Sequence, residues 1–285
     1  MNHKTWSIEE INILKNKCLL GCFSYHEIGK ILNRSSHSCQ NKAKQLKIKN
    51  FFKSAKKYDV NKDFWIPNPV SCYWAGFSAA DASINKHSSN CYNYRLELSN
   101  LDVDHIKQFK NDCNYTGPVK TSVRKNKFIY SRIVVSEPQW VNDLKLYYNI
   151  VPNKTLRLSP PNFDDEYLKL CYLIGYIDGD GSICFDKKRN RLIFRIVSSS
   201  PDIINWCHKL IMEKFEVFCL KRKENNINLR DGKYSYLTVN GLRAAVLFNF
   251  LSKFDLPKLK RKWIQPCVDE YIKNMKISYP EFFVE

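Results

Sequence analysis

The sequence has no long apolar run. Its densest stretch, LCYLIGYI (Leu170 to Ile177), falls well short of the roughly 20 residues a membrane-crossing helix needs. The opening MNHKTWSIEE lacks the basic-then-apolar layout of a secretory signal. These two absences lead us to expect a soluble protein in the cytoplasm or an equivalent intracellular compartment. CxxC spacings are also missing. The 11 cysteines are odd in number and scattered, which excludes a disulfide framework and suits small buried apolar side chains. Cys18, Cys22, His26, His37 and Cys39 match the spacing of no common zinc finger. Acidic residues are scarce as well, 28 against 46 basic ones, for a net charge of +18. An excess of that size must spread over the surface, and it predicts a polyanionic partner, nucleic acid first. The abundance of Asn, Ile, Lys and Tyr points to an AT-rich source genome such as that of a phage or an organelle.

The first 48 residues have their own pattern. Ser7 with Glu10, and Ser24 with Glu27, are spaced as capping boxes, so helices are expected to begin near Ile8 and Tyr25. A third should follow NRSS, with Cys39, Ala43 and Leu46 inward and Gln40, Asn41, Lys42 and Lys44 outward. Asn and Gln can bond adenine edges, and Lys binds phosphate, so a basic, amide-rich third helix fits a helix-turn-helix reader, with Arg34 just before it. The stretches TWSIEEINILK, EIGKILNRS and SCQNKAKQLKI resemble Myb/SANT-like domains. Three-helix modules of that kind also bind proteins. Residues 49–68 are Lys-rich and aperiodic, and read as a basic linker.

From there the chain repeats itself. Ser71 to Ile84 matches Leu170 to Ile183 at a constant offset of 99, with 6 of 14 positions identical: Cys72, Tyr73, Gly76, Asp81, Ser83 and Ile84 recur as Cys171, Tyr172, Gly175, Asp180, Ser182 and Ile183. Strand pairs and amphipathic helices follow each copy in the same order. This predicts an α+β fold of two αββαββα units, residues 69–160 and 161–285, related by a pseudo-twofold axis.

Each phrase has a glycine followed four residues later by a small residue, Gly76 with Ala80 and Gly175 with Gly179. Such a face permits close helix packing and would bring Asp81 and Asp180 together at one end. That end is the negative pole of both helix dipoles, so the carboxylates collect there against local preference. Together with the exposed carbonyls, those of Ala80 and Gly179 among them, they form a hard-oxygen set suited to Mg²⁺ or Mn²⁺. An EF-hand reading of DGDGSI fails, because Ile183 stands where the loop needs glycine and Arg189 where it needs glutamate.

WAGFSAADA and LIGYIDGDG resemble the LAGLIDADG motif of homing endonucleases, in the two-motif, single-chain form. The second copy fits well. The first departs from the motif, with Ala79 in place of its first aspartate and Ala82 in place of glycine. The resemblance implies that Asp81 and Asp180 bind the catalytic divalent metal. It also implies a monomer that cuts both strands of a long asymmetric duplex site across the minor groove, leaving short 3′ overhangs, as mobile genetic elements do. It places a lysine near each reacting phosphate, for which Lys154 and Lys262 stand in suitable segments, with Lys260 a close competitor. The sheets would grip the major groove through Lys86, Arg95, Lys120, Arg124, Lys125 and Lys127 in the first half. Lys187, Lys188, Arg189, Arg191, Arg195, Lys221, Arg222, Lys223 and Arg230 would do so in the second. The competing readings are an RNA maturase of the same family and an inactive DNA-binding regulator; an intein is not expected, because the chain ends PEFFVE without splice residues.

The charge makes a direct prediction. Binding to duplex DNA should weaken by at least about a hundredfold between 50 and 200 mM salt in a fluorescence-anisotropy titration. A flat salt dependence would contradict an electrostatic grip.

Overall fold

The structure is a computed structural model that describes residues 5–20, 23–50, 58–88, 91–123, 128–217, 227–230 and 234–283. The chain divides into two compact units, Met1–Tyr58 and Asp59–Glu285.

The smaller unit is three helices, α1 (Ile8–Leu20), α2 (Tyr25–Leu32) and α3 (Ser36–Gln45). Both capping boxes are formed: the Ser7 and Ser24 hydroxyls accept from the backbone N–H groups of Glu10 and Glu27, whose carboxylates accept in return from the serine backbones. Leu14, Cys18, Ile28, Leu32, Cys39 and Ala43 make the core, flanked by Trp6, Phe23, Tyr25 and Ile48. Leu46, expected inward, is 38% exposed. Helix α3 stops at Gln45, and Lys47 takes a positive φ of 55°, which turns the chain so that Ile48 packs on the core instead.

The larger unit repeats one plan twice. Its first half is α4 (Pro69–Asp81), β1 (Ala82–Ser88), β2 (Cys91–Ser99), α5 (Val103–Asp112), β3 (Lys120–Val123), β4 (Ile129–Val135) and α6 (Pro138–Tyr148). The second is α7 (Glu166–Asp180), β5 (Gly181–Asp186), β6 (Arg191–Ser198), α8 (Pro201–Val217), β7 (Ile227–Arg230), β8 (Ser235–Asn240) and α9 (Leu242–Ser252). It is followed by α10 (Lys260–Trp263) and α11 (Pro266–Ser278). The two four-stranded antiparallel sheets have corresponding orders, β1-β2-β4-β3 and β5-β6-β8-β7. Tyr94, Leu96, Leu98, Ile133 and Val135 face inward in one sheet, and Leu192, Phe194, Ile196, Leu237 and Val239 in the other, as strand alternation requires.

Residues 59–68, read in the sequence as the end of a linker, belong to this larger unit. Phe64 and Trp65 are buried in an aromatic cluster with Tyr94, Phe109 and Trp140, and Asn68 caps α4. Two large aromatic rings in a Lys-rich segment outweigh its polar remainder, since each removes some 150–250 Å² from water.

Helices α4 and α7 are apolar nearly all round because each lies between its partner helix and its own half's sheet. Their approach is set by two glycines. A Cβ on Gly76 would fall 1.9 Å from the Tyr172 carbonyl oxygen, and one on Gly175 would fall 1.8 Å from that of Tyr73. The obstacle is backbone in both cases, so no side-chain rotation relieves it. Gly175→Val should therefore cost about 3 kcal/mol or more, lowering the Tm of the larger unit by some 6–12 °C or preventing folding. An unchanged melting curve would show that the helices do not pack this way.

Candidate metal and phosphodiester site

Asp81 and Asp180 are the last residues of α4 and α7, and each is followed at once by the first strand of its half. The close approach continues to this end of the pair, where a Cβ on Gly179 would lie 2.2 Å from the Ala80 Cβ and 3.5 Å from Asp81 Oδ2. Both aspartates keep a face open to solvent. The packed helix ends around them, and the negative charge of Asp180, push the Asp81 pKa up to about 6. Burial likewise raises Asp180, and Lys154 opposes that shift.

Two lysines answer this negative end. Lys154 Nζ donates to the Ala80 carbonyl at 3.2 Å. Lys262 Nζ donates to the carbonyls of Ile177 (2.9 Å), Asp178 and Gly179 (3.3 Å) at the end of α7 and to that of Gly181, which opens β5. Burial lowers the pKa of each ammonium, and the carboxylates oppose that shift. Each ammonium bonds the helix end of its own half, and Lys154 also lines a cleft of about 280 Å³ with Ala80 and with Tyr176 and Asp180 of the other half's helix. The positive charges of Lys262 and Lys154 both oppose the rise of Asp81. Lys260, the competitor, is exposed.

Asp178, which lies between the paired glycines' end and Asp180, was not among the expected site residues. It is buried and accepts from the Tyr73 hydroxyl (2.7 Å), the Leu259 N–H (2.8 Å) and the Trp263 indole N–H (2.6 Å). Burial raises its pKa, and those three donors pull the other way. Because the Tyr73 hydroxyl donates to Asp178, it accepts from His105 Nε2 at 3.0 Å, which fixes that tautomer. Burial holds His105 near a pKa of about 4, so it is neutral. In the first half Ala79 takes the place of Asp178, and no equivalent network can form there.

Several of the residues expected at a DNA interface lie on open sheet faces or on the exposed side of a helix. Arg95 and Lys120 lie on the open face of the first sheet, with Glu97 paired to both Arg95 and Arg132. Arg132 was overlooked, although the alternation in IYSRIVV signals it. Lys187, Lys188 and Arg195 are exposed, and Arg189 and Arg191 are drawn to Asp186 at 3.6 and 3.8 Å. Gln40, Asn41 and Lys44 are exposed on α3, and Lys42 is half-buried beside Gln45.

Others do not. Arg34 is a structural residue: it makes a bidentate pair with Glu10 at 2.9 Å, donates to the Thr5 carbonyl and stacks on Trp6. Lys86 sits in the row of Ile84 and Tyr94, not that of Arg95, because one residue's difference in a strand reverses the face. Val123 is 68% exposed, since β3 is a short edge strand. Arg124, Lys125, Lys127, Lys221, Arg222 and Lys223 lie outside the described residues, as does the side chain of Arg230. Among the described residues there is no cluster of three or more His, Cys, Asp or Glu side chains able to hold a metal, so a cation here would rest on the two aspartates and backbone oxygens. No described helix is long and apolar enough to cross a membrane.

The fold is thus a tandem αββαββα protein with paired carboxylates at one end of its central helices. No protein-family model matches the chain. An uncharacterized protein of Methanocaldococcus jannaschii is 26% identical over 209 residues, covering 68% of this chain and 70% of its own length. Among solved structures, the chain is similar to the meganuclease I-SmaMI bound to uncleaveable DNA (13% identity, 74% of this chain and 90% of that one, TM-score 0.42). It is also similar to the LAGLIDADG homing endonuclease I-LtrWI bound to target DNA (14%, 74% and 91%, 0.42) and to the LAGLIDADG meganuclease I-AabMI bound to uncleaved DNA (12%, 75% and 92%, 0.44).

The raised Asp81 pKa has a sign that can be tested. The unfolded chain ionises this group near 3.8 and the folded chain near 6, so stability falls as pH rises across that interval. Allowing for screening at its open face, the cost above pH 6 is about 1 kcal/mol. In EDTA, Asp81→Asn should melt about 2–4 °C above the parent at pH 7.5 and level with it below pH 4. An equal Tm at both pH values would contradict the crowding.

Proposed function

We propose that the larger unit is a metal-dependent endonuclease that cuts both strands of a specific DNA duplex, a homing endonuclease of the LAGLIDADG type carried by a mobile element. The observation that carries this reading is the meeting of Asp81 and Asp180 at one end of a glycine-packed helix pair, with a lysine from each half beside them. A structural carboxylate at a helix C-terminus opposes the dipole and gains nothing from a second one nearby.

The residues fit a hard divalent cation, Mg²⁺ or Mn²⁺. Asp81 and Asp180 would supply anionic oxygens, and the carbonyls of Ala80 and Gly179 keep a second lone pair beyond the lysine each accepts from. When bound, such a cation supplies Lewis-acid charge at the phosphate and lowers the pKa of an attacking water. The chain's own groups do the rest. Lys154 and Lys262, held at the two helix ends, offer positive charge to the scissile phosphates and to the leaving oxygens, where negative charge develops during P–O cleavage. Arg95, Arg132 and Lys120 on one open sheet face, and Arg191 and Arg195 on the other, set the duplex in register by phosphate and base contacts. Helix α3 of the Myb-like unit adds Gln40, Asn41 and Lys44 as a second reading head. Two carboxylates and two lysines, one of each from either half of one chain, suit a monomer acting on an asymmetric site, one set per strand.

Asp180→Asn should bind a duplex selected from a random library with a Kd within about threefold of the parent, yet cut it at least about a thousandfold more slowly in Mg²⁺. Specific binding without cleavage by the parent chain would replace this reading with that of a DNA-binding regulator. Preferential binding of structured RNA would favour the maturase.

A further inference from the structure

The segments that carry the two lysines are not held by their own halves alone. Lys154 sits on a short 3₁₀ turn, Lys154–Leu156, at the end of the first half. That turn is fastened by Ser200 of the second half, which is 2% exposed. Its hydroxyl donates to the Thr155 carbonyl at 3.0 Å and accepts from the Leu158 N–H at 3.1 Å. Ser200 is itself oriented by a bond from its N–H to the Ser198 hydroxyl at 3.1 Å.

The reverse arrangement holds Lys262. Its helix α10 belongs to the second half, but Arg261 makes a bidentate pair with Asp102 of the first half at 2.8 and 3.0 Å. Leu259 and Trp263, on either side of Lys262, donate to Asp178, which the first half's Tyr73 and His105 hold from the far side. Asp102 follows β2, and Ser200 follows β6, so the two clamps occupy corresponding places in the repeat. They are unequal in strength. One is a serine hydroxyl with two bonds. The other is a guanidinium pair plus a buried carboxylate with three donors, one of them backed by an imidazole.

We propose that these are reciprocal positioning residues: Ser200 of the second half sets the Lys154 ammonium in its site, and Tyr73, His105 and Asp102 of the first half set the Lys262 ammonium in the other. The two centres are therefore coupled through the fold yet separately adjustable, and the Lys154 centre is the looser. This rests on the nuclease reading only for what the lysines are for; their placement is testable without DNA or metal.

The test is site-resolved amine reactivity. The metal-free full chain and its Tyr73→Phe and Ser200→Ala variants are treated with an acylating reagent, and modification of Lys154 and Lys262 is followed separately by peptide mass spectrometry. In the parent, Lys154 should react faster than Lys262. Tyr73→Phe should speed Lys262 by about fivefold and leave Lys154 unchanged, and Ser200→Ala should speed Lys154 by a similar factor and leave Lys262 unchanged, the effect of one lost hydrogen bond. Asp102→Asn, at a partly solvent-facing pair, repeats the Lys262 result if Tyr73→Phe misfolds. Both lysines rising together in each variant, or neither moving, overturns the proposal. Strand-resolved cleavage then extends it: Tyr73→Phe should slow one strand's cut and Ser200→Ala the other's, at unchanged Kd. Equal slowing of both strands would contradict separate control, whereas a parent chain that never cuts would fail the nuclease reading and leave the reactivity result standing.

Discussion

The close backbone contact between α4 and α7 is the constraint on which the rest of the larger unit depends. Gly76 faces the Tyr172 carbonyl and Gly175 the Tyr73 carbonyl across the pair, at distances that no Cβ tolerates. With that contact made, the ends of the helices are fixed relative to each other, and so are the two residues that close them. Asp81 and Asp180 are held at one helix-pair end because of packing some residues earlier in each helix, and their mutual repulsion is met from the glycine-packed interface. The helices have no polar face to spare. One side of each is given to its partner and the other to a sheet, so the aspartates at the ends are the first groups free to do chemistry.

The helix ends also explain the lysines. An α-helix leaves its last carbonyls without intrahelical partners, and here two helices leave theirs at the same place, beside two carboxylates. Lys262, with four carbonyl acceptors, and Lys154, with one, neutralise that end from opposite halves. On the proposed reading, the same groups that stabilise the fold would also meet a phosphodiester's negative charge. Loss of either lysine would disturb structure and chemistry together, whereas the residues that only orient them can be changed one at a time.

Much of this was legible in the sequence because a repeat states its own alignment. The offset of 99 paired the glycines and the aspartates before any coordinates, and the order of strands and helices after each phrase anticipated both sheets. The capping boxes at Ser7 and Ser24 marked helix starts correctly because their hydrogen bonds are local. What escaped was non-local. Arg34 reads as a solvent-facing basic residue until Glu10 and Trp6 are seen around it. The Tyr73, His105 and Asp178 chain joins residues from three helices, with no spacing to betray it. Lys86 was misplaced by a single residue of strand register, the distance that separates one sheet face from the other. Phe64 and Trp65 were lost in a Lys-rich background although their size made them core.

The asymmetry of the repeat matters as much as its symmetry. Ala79 in place of a carboxylate leaves one lysine segment held by a serine and the other by a buried network, so the two helix ends differ in the number of bonds that hold the lysine beside them. The central claim, that this helix-pair end is a metal-dependent phosphodiester site, is tested most directly by incubating the protein with a random duplex library in Mg²⁺ and in EDTA and sequencing the ends produced. Double-strand ends at one long sequence, present only with Mg²⁺, are the predicted result. Recovery of a bound sequence that is never cut in Mg²⁺ or Mn²⁺ would contradict it.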